Sequence, residues 1–394
     1  MKRRADLISI AIAYVSLATL GLSTSLRGVA WPSIQATFGL PLDAVGAWLI
    51  AATAGSIFSS FNSGPIGSAI GVGPLLLIGS LTTALGLLGS AVAPSWWVLV
   101  LAGLLNGLGD GAIHTGLNTH FTASRGVGAM NWLHACFGIG ATLGPLMMTA
   151  VLKAGTSWRW AYVLTSAGMV LLSVGFALTL KRWRGSAEKA AAAGTQVAAS
   201  KSRMDTIRLP IVWISLLLFC TYVGVESIAG QWAYSLFTKA RAVTEETASL
   251  WMSAYWGGIT VGRLLLGSVA DRVSITSLLR VCMLCIIIGG ALMWWQAADL
   301  LSFLGLVLMG LAEGPVFPSL MSETPRRVST DHVDNTVGFQ VAASSLGGSA
   351  LSSLAGVIAE STTLEIISPL ILLCSVALFS LHEVTVRRAR HSGR

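Results

Sequence analysis

The chain of 394 residues is 54% apolar with a mean hydropathy of +0.74, and only 11% of it is charged, against about 25% in an average soluble domain. From Ala44 to Gly109 there is no Asp, Glu, Lys, Arg or His, a stretch that no water-soluble fold can solvate. These figures exclude a soluble enzyme, a disordered chain and a disulfide-stapled secreted domain. The formal net charge of +8 then reads as membrane topology rather than as a nucleic-acid signal.

Continuous apolar runs of about 20 residues, rich in Leu, Ala and Gly, predict membrane-spanning helices rather than barrel strands. Twelve follow in chain order, at 7–31, 44–67, 74–93, 96–120, 128–152, 159–180, 210–237, 247–269, 276–297, 300–321, 334–358 and 365–381. Met1-Lys2-Arg3-Arg4 before the first run has the look of a signal peptide, but the run is too long and Arg27 interrupts the place where cleavage would fall. The first span is therefore expected to stay in the protein. The long polar stretch after the sixth span, Lys181 to Arg208, is dominated by Ala, Gly, Ser and charge. It predicts a cytoplasmic linker over 181–209, between an N-terminal six-helix bundle at 1–180 and a C-terminal one at 210–394. The expected fold class is an all-α membrane protein of twelve transmembrane helices in two repeated bundles, an arrangement that carries its substrate near the membrane midplane.

Orientation follows from the cations. Most of the 25 Lys and Arg residues fall at the N-terminus, at Arg125, in the linker, at Arg263, Arg272, Arg280, Arg326 and Arg327, and in the C-terminal tail; the opposite loops hold Lys153, Arg159, Lys239 and Arg241. Both termini are thus expected in the cytoplasm of a cell, in a bacterial inner membrane. The five cysteines all lie in apolar spans, where Cys282 and Cys285 read as packing residues despite their redox-motif spacing.

An ionisable side chain at membrane depth costs ~3 kcal/mol on the most lenient scale, so each marks a functional candidate. They are Arg27 in span 1, Asp110 and His114 in span 4, His134 in span 5, Glu226 in span 7 and Glu313 in span 10. In span 4, Asn106, Asp110, His114 and Asn118 recur every fourth residue and form one polar stripe, which lines a cavity or bonds neighbouring helices together. Gly103, Gly107 and Gly111 form the adjacent stripe, suited to close helix contact. Arg27 pairs with Asp110 or another acid, snorkels to the outer interface, or binds an anion or a sugar hydroxyl. Trp232, Trp256, Tyr222 and Tyr255 offer rings to stack on a sugar's CH face, with Gln231 and Gln340 as hydroxyl partners; His134 reads as an interhelical hydrogen-bonding residue.

Specific motifs follow. After span 8 the chain reads Gly262-Arg263-Leu264-Leu265-Leu266-Gly267-Ser268-Val269-Ala270-Asp271-Arg272. Its Gly-x-x-x-Asp-Arg core resembles the cytoplasmic gating motif of the major facilitator superfamily, which implies gating roles for Gly267, Asp271 and Arg272. In the first half Ser68 and Ala69 stand where that Asp-Arg pair would be. Span 5 (Asn131-Trp132-Leu133-His134 through Gly144-Pro145), span 7 (Tyr222-Val223-Gly224-Val225-Glu226), span 10 (Gly314-Pro315-Val316-Phe317-Pro318) and span 11 (Gly338-Phe339-Gln340) together resemble the fucose–galactose–glucose:proton symporter group and its sodium-dependent glucose transporter-like relatives.

The resemblance implies transport of a small polar solute, a sugar first, by alternating access, with an anionic sugar, organic acid or amphipathic compound as the alternative cargo. It implies no cofactor, with H+ or Na+ as candidate coupling ion, and a monomer whose partners are the small-molecule substrate and the lipid bilayer, not nucleic acid. The family's acids in spans 1 and 4 are missing: Gly28 and His114 stand at the aligned positions, so its own proton device does not carry over. His114 puts a titratable imidazole there instead. No His-Glu-x-x-His, Cys/His cluster or nucleophile elbow occurs in the sequence, so no enzyme is expected.

Overall fold

A computed structural model describes residues 2–124, 126–183, 202–269, 273–296 and 298–392. Among these the regular structure is helical. Six long helices make the first half: α1 (Lys2–Phe38), α2 (Val45–Ile70), α3 (Val72–Val92), α4 (Trp96–Ser124), α5 (Gly126–Lys153) and α6 (Arg159–Trp183). Six make the second: α7 (Pro210–Ser235), α8 (Glu245–Val269), α9 (Ile275–Trp295), α10 (Asp299–Glu313), α11 (Thr330–Ser361) and α12 (Ile367–Ser392). Among the described residues 11 helical stretches are long and apolar enough to cross a membrane. The remaining long helix, α8, has 25 residues but opens on Glu245-Glu246 and carries Arg263. The protein is an all-α, multi-pass membrane protein.

The helices outrun the apolar runs that announced them. The first span extends through Pro32 to Phe38: a membrane helix tolerates the lost donor where neighbours surround the freed carbonyl. Gly39, at φ +63°, ends it in the left-handed conformation, and Leu40 N–H closes back on the Gln35 carbonyl at 3.1 Å. The expected tenth span is not continuous. It stops at Glu313, passes Gly314 and Pro315, and resumes as a short helix, Val316–Ser322, because Pro315 and Pro318 withdraw two main-chain donors within one turn.

The chain divides into two compact units, Met1–Thr195 and Gln196–Arg394. Between α6 and α7 the described part is a short helix, Arg203–Ile207, capped by Ser202. Its Thr206 hydroxyl is tied to His332 Nδ1 at 2.8 Å and receives the Asn335 amide at 3.1 Å. Inside the first unit the main packing pairs are α1 with α5 and α6, α2 with α4, and α3 with α4 and α6. Inside the second they are α7 with α11 and α12, α8 with α10, and α9 with α10 and α12. Each pair in one unit becomes a pair in the other when six is added to its helix numbers, so the two halves repeat one packing plan.

Small residues make this closeness feasible, since lipid tails give apolar helices no hydrophobic drive to associate. A side chain at Gly107 would collide with the Ala52 backbone of α2, and one at Gly111 with that of Ser56. The glycine stripe on α4 is thus the seam with α2. Gly310 and Gly314 serve the equivalent seam, against Tyr255 and Ile259 of α8. Between α2 and α3 the link is Gly71 alone, at φ +90°, a backbone conformation a side chain would strain.

Candidate functional site

Each unit carries one cluster of polar groups inside membrane helices. In the first, α4 sets its polar stripe between α1 and α5. Arg27 of α1 donates from Nη2 to Asn106 Oδ1 at 3.1 Å, and its guanidinium lies 5.9 Å from the Trp48 ring centre. The expected pairing with Asp110 is not seen: the hydrogen bond goes one turn earlier on α4, and Arg27 makes no ion pair with a described residue. Its field still reaches Asp110 and Tyr162.

Farther along, His114 packs its ring 5.6 Å from Phe137 of α5. Several buried polar atoms of the stripe have no partner among the described residues: Asn106 Nδ2, Asp110 Oδ1 and Asn118 Oδ1, as has the Tyr162 hydroxyl of α6. Four-residue spacing put Asn106, Asp110, His114 and Asn118 on one line; it gave no sign that Trp48 of α2 would lie beside Arg27 with Tyr162 of α6 next to its ring.

In the second unit Glu226 of α7 and Glu313 of α10 meet through two tyrosines. The Tyr222 hydroxyl lies 2.8 Å from Glu226 Oε2 and 2.9 Å from the Glu313 main-chain oxygen. The Tyr255 hydroxyl of α8 lies 2.6 Å from Glu313 Oε2 and 3.1 Å from the Glu226 main-chain oxygen. Each tyrosine therefore joins the carboxyl of one glutamate to the carbonyl of the other. Glu313 is fully buried, and its Oε1 has no partner. The break after Glu313 explains the reach of Tyr222, because a carbonyl in the last turn of a helix lacks an intrahelical donor. Phe317, past the break, closes one side with its ring 5.3 Å from Phe219 and 6.2 Å from Tyr222.

Other expected contacts fall elsewhere. Trp232 is fully buried and donates its indole N–H to the Ser352 carbonyl at 2.8 Å. Gln340, equally buried, donates to Ser215 at 2.6 Å and accepts from Thr324 at 3.1 Å. Both side chains bond between helices in this structure. Tyr222 and Tyr255 likewise bind acids instead of offering open rings. Gln231 is buried with Nε2 unpartnered, as is the Trp256 indole nitrogen. Gly267 lies in the last turn of α8, while Asp271 and Arg272 lie outside the described residues. All five cysteines are free.

A second polar region, unforeseen in the sequence, lies at the start of α9. A cavity of about 400 Å³ is lined by Ser274, Ser277, Arg280, Arg326, Arg327 and Thr385, among others. Two ion pairs border it: Arg280 with Glu383 (2.5 and 2.9 Å) and Arg326 with Glu323 (2.9 Å). Burial draws the Arg327 guanidinium below its ordinary pKa range, and the nearby Glu323 charge opposes that shift.

Repeated six-helix units with charged side chains inside apolar helices define a polytopic carrier. Comparison with known proteins identifies the class: the model of the Major Facilitator Superfamily matches residues 13–381, and the chain belongs to that family. It is a membrane transporter, not an enzyme.

Two curated relatives are "Bypass of stop codon protein 6" of Saccharomyces cerevisiae (22% identical, covering 93% of this chain and 80% of that one) and the glucose/mannose transporter GlcP of Bacillus subtilis (23% identical, covering 66% and 65%). Solved structures with the same fold include the nucleoside transporter NupG (TM-score 0.79, 14% identity, 96% and 99% coverage) and a D-xylose–proton symporter (0.76, 15%, 94% and 97%). The Escherichia coli fucose:proton symporter FucP is a third (0.64, 14%, 96% and 98%). The superfamily resemblance drawn from the sequence motifs is borne out by the family model.

Proposed function

We propose that the protein carries a small polar solute of the sugar or polyol class across the cytoplasmic membrane by alternating access, with both termini in the cytoplasm. The observation that carries this reading is the polar stripe of α4. Asn106, Asp110 and Asn118 present buried polar atoms that no group among the described residues satisfies, and each such atom costs about 1–3 kcal/mol when left unpaired. A ligand rich in hydroxyls supplies both donors and acceptors to such a row. Similarity to a glucose/mannose transporter supports the same class. The test is uptake by the purified protein in lipid vesicles against a panel of hexoses, pentoses, deoxysugars and polyols. If no member of the panel moves, the sugar reading fails.

One observation favours a second cargo. The Arg27 guanidinium has no ion-pair partner among the described residues, which suits an anionic sugar or organic acid. Arg27→Lys and Arg27→Ala separate the two. An anionic cargo loses affinity in both, because the bidentate fork is specific to arginine; a neutral sugar is held by the lysine variant.

A further inference from the structure

We propose that the cavity at the start of α9 is a binding site for a water-soluble phosphate monoester, with Arg327 as its anchoring cation. The site lies wholly within the second unit. It rests on neither the sugar reading nor the choice of cargo.

The cavity is walled by the first turns of α9, by residues 323–327 of the segment before α11, and by Thr385 and Val386 of α12. Its charge is unbalanced. Arg280 is held by Glu383 and Arg326 by Glu323, so both carboxylates are engaged. Arg327 makes no ion pair with a described residue, and its Nη1 is buried without a partner. Arginine does not shed its proton. A buried guanidinium nitrogen without an acceptor therefore carries its desolvation cost until an acceptor arrives.

The other donors suit an oxyanion. The Ser274 hydroxyl caps α9, accepting from Ser277 N–H at 3.2 Å and donating to Ser277 Oγ at 2.8 Å. The Ser277 hydroxyl proton is thereby left for a ligand, at a helix N-terminus that favours negative charge. Arg280 gives Nε and Nη2 to Glu383 and keeps Nη1. Thr385 adds no donor, because its proton goes to the Leu381 carbonyl at 2.8 Å. A phosphate monoester brings about two negative charges and three terminal acceptor oxygens. It can thus answer donors arriving both from α9 and from the segment before α11, and guanidinium forks match it in shape.

Size and lining narrow the ligand. The volume of about 400 Å³ falls among small-molecule sites, about 300–1,000 Å³. A phosphate group alone fills a fraction of it, since a water takes about 30 Å³, so the phosphate comes with a polar organic part. Val386 is the apolar residue of the lining, and Ser274 and Ser277 are exposed. An acyl chain finds no apolar path there, which favours a soluble ester over a lipid headgroup. A bound ester bridges α9 to the segment before α11 and favours the arrangement in which they stand together.

The test is equilibrium dialysis of radiolabelled ribose 5-phosphate against the purified full-length protein in phosphatidylcholine discs. An ionic strength of about 0.15 M screens loose surface charge. Wild type is expected to bind saturably, with no displacement by excess ribose. Arg327→Met is expected to weaken binding about tenfold or more, and Arg327→Lys less, since lysine keeps the charge and loses the fork. Arg327 makes no ion pair with a described residue, so both variants are expected to stay folded, as a size-exclusion profile will report. Arg203→Met, at an exposed arginine outside the cavity, is expected to bind as wild type does. Absence of saturable binding to wild type would overturn the proposal. So would an equal loss in Arg203→Met, the mark of diffuse charge. Displacement by ribose, or a loss in Arg27→Ala with none in Arg327→Met, would put the anion at the solute site and overturn it too. The lipid source is separated by discs containing phosphatidic acid. Loss of binding there, with none in phosphatidylglycerol discs of matched surface charge, would make a lipid headgroup the occupant and overturn the assignment to a soluble ester.

Discussion

Arg241, just beyond the end of α7, holds one end of the second unit together. Its side chain is 8% exposed, and the guanidinium grips Glu365 with two bonds, Nε to Oε1 at 2.9 Å and Nη2 to Oε2 at 2.6 Å. It also donates to Ser302 at 2.8 Å and to the Met293 carbonyl at 3.0 Å. This one side chain therefore ties the segment after α7 to α9, to α10 and to the Leu364–Ile366 turn that leads into α12. Breaking a buried pair by deleting one partner costs about 3–5 kcal/mol, because a charge is left uncompensated. Here the two partners differ: Glu365 is 31% exposed and also accepts from Gln296 at 2.6 Å, so water and Gln296 remain to it when Arg241 is removed.

Arg241→Ala is thus expected near or just below the lower end of that range, about 2–3 kcal/mol, and Glu365→Ala, which strands the more buried guanidinium, higher in it, about 3–5 kcal/mol. Replacing both, as Arg241→Met with Glu365→Leu, is expected to cost less than the two single losses added, since no charge is stranded. The assay is thermal unfolding of the purified variants in one detergent at one scan rate, because unfolding of such a protein is read as an apparent midpoint. Equal small shifts for both alanine variants, or a double variant worse than the sum, would refute the reasoning.

Three further outcomes follow from the same geometry. Gly107→Val places two methyl groups where the Ala52 backbone of α2 already stands; overpacking costs about 1–3 kcal/mol even in adaptable cores, so the yield of folded protein is expected to fall, measured by size-exclusion profile. Trp232→Phe removes the bond to Ser352, worth about 1 kcal/mol, and is expected to lower the melting midpoint while solute affinity stays unchanged; a loss of affinity alone would return Trp232 to the binding site. Asp271→Asn, in the gating motif, is expected to slow turnover more than it weakens binding, checked by comparing transport rate with ligand affinity in the same preparation.

The membrane class, the number of long helices and the halving of the chain are all legible in composition and run length, because a membrane accepts few alternatives: every main-chain group must be satisfied inside a helix or a closed barrel. The stripes on α4 are legible too. A period of four residues is a property of the helix, and Gly103, Gly107 and Gly111 could serve only a close neighbour. Helix ends were less so. Pro32 does not stop α1, and Pro315 does stop α10, although proline has the same local effect in both. The outcome depends on what surrounds the freed carbonyls.

What the chain could not reveal by itself is who meets whom. Residues 91 positions apart, Tyr222 and Glu313, share a hydrogen bond, and no local period signals that. The same chemistry read as a stacking ring became a phenol bridging an acid and a carbonyl; Trp232 and Gln340, equally suited to a sugar on paper, went into the packing. Hydrophobicity is a local quantity and is recorded in every window of the sequence. Satisfying a buried polar atom requires a second atom within about 3 Å, and only the tertiary arrangement of helices decides which one comes that close.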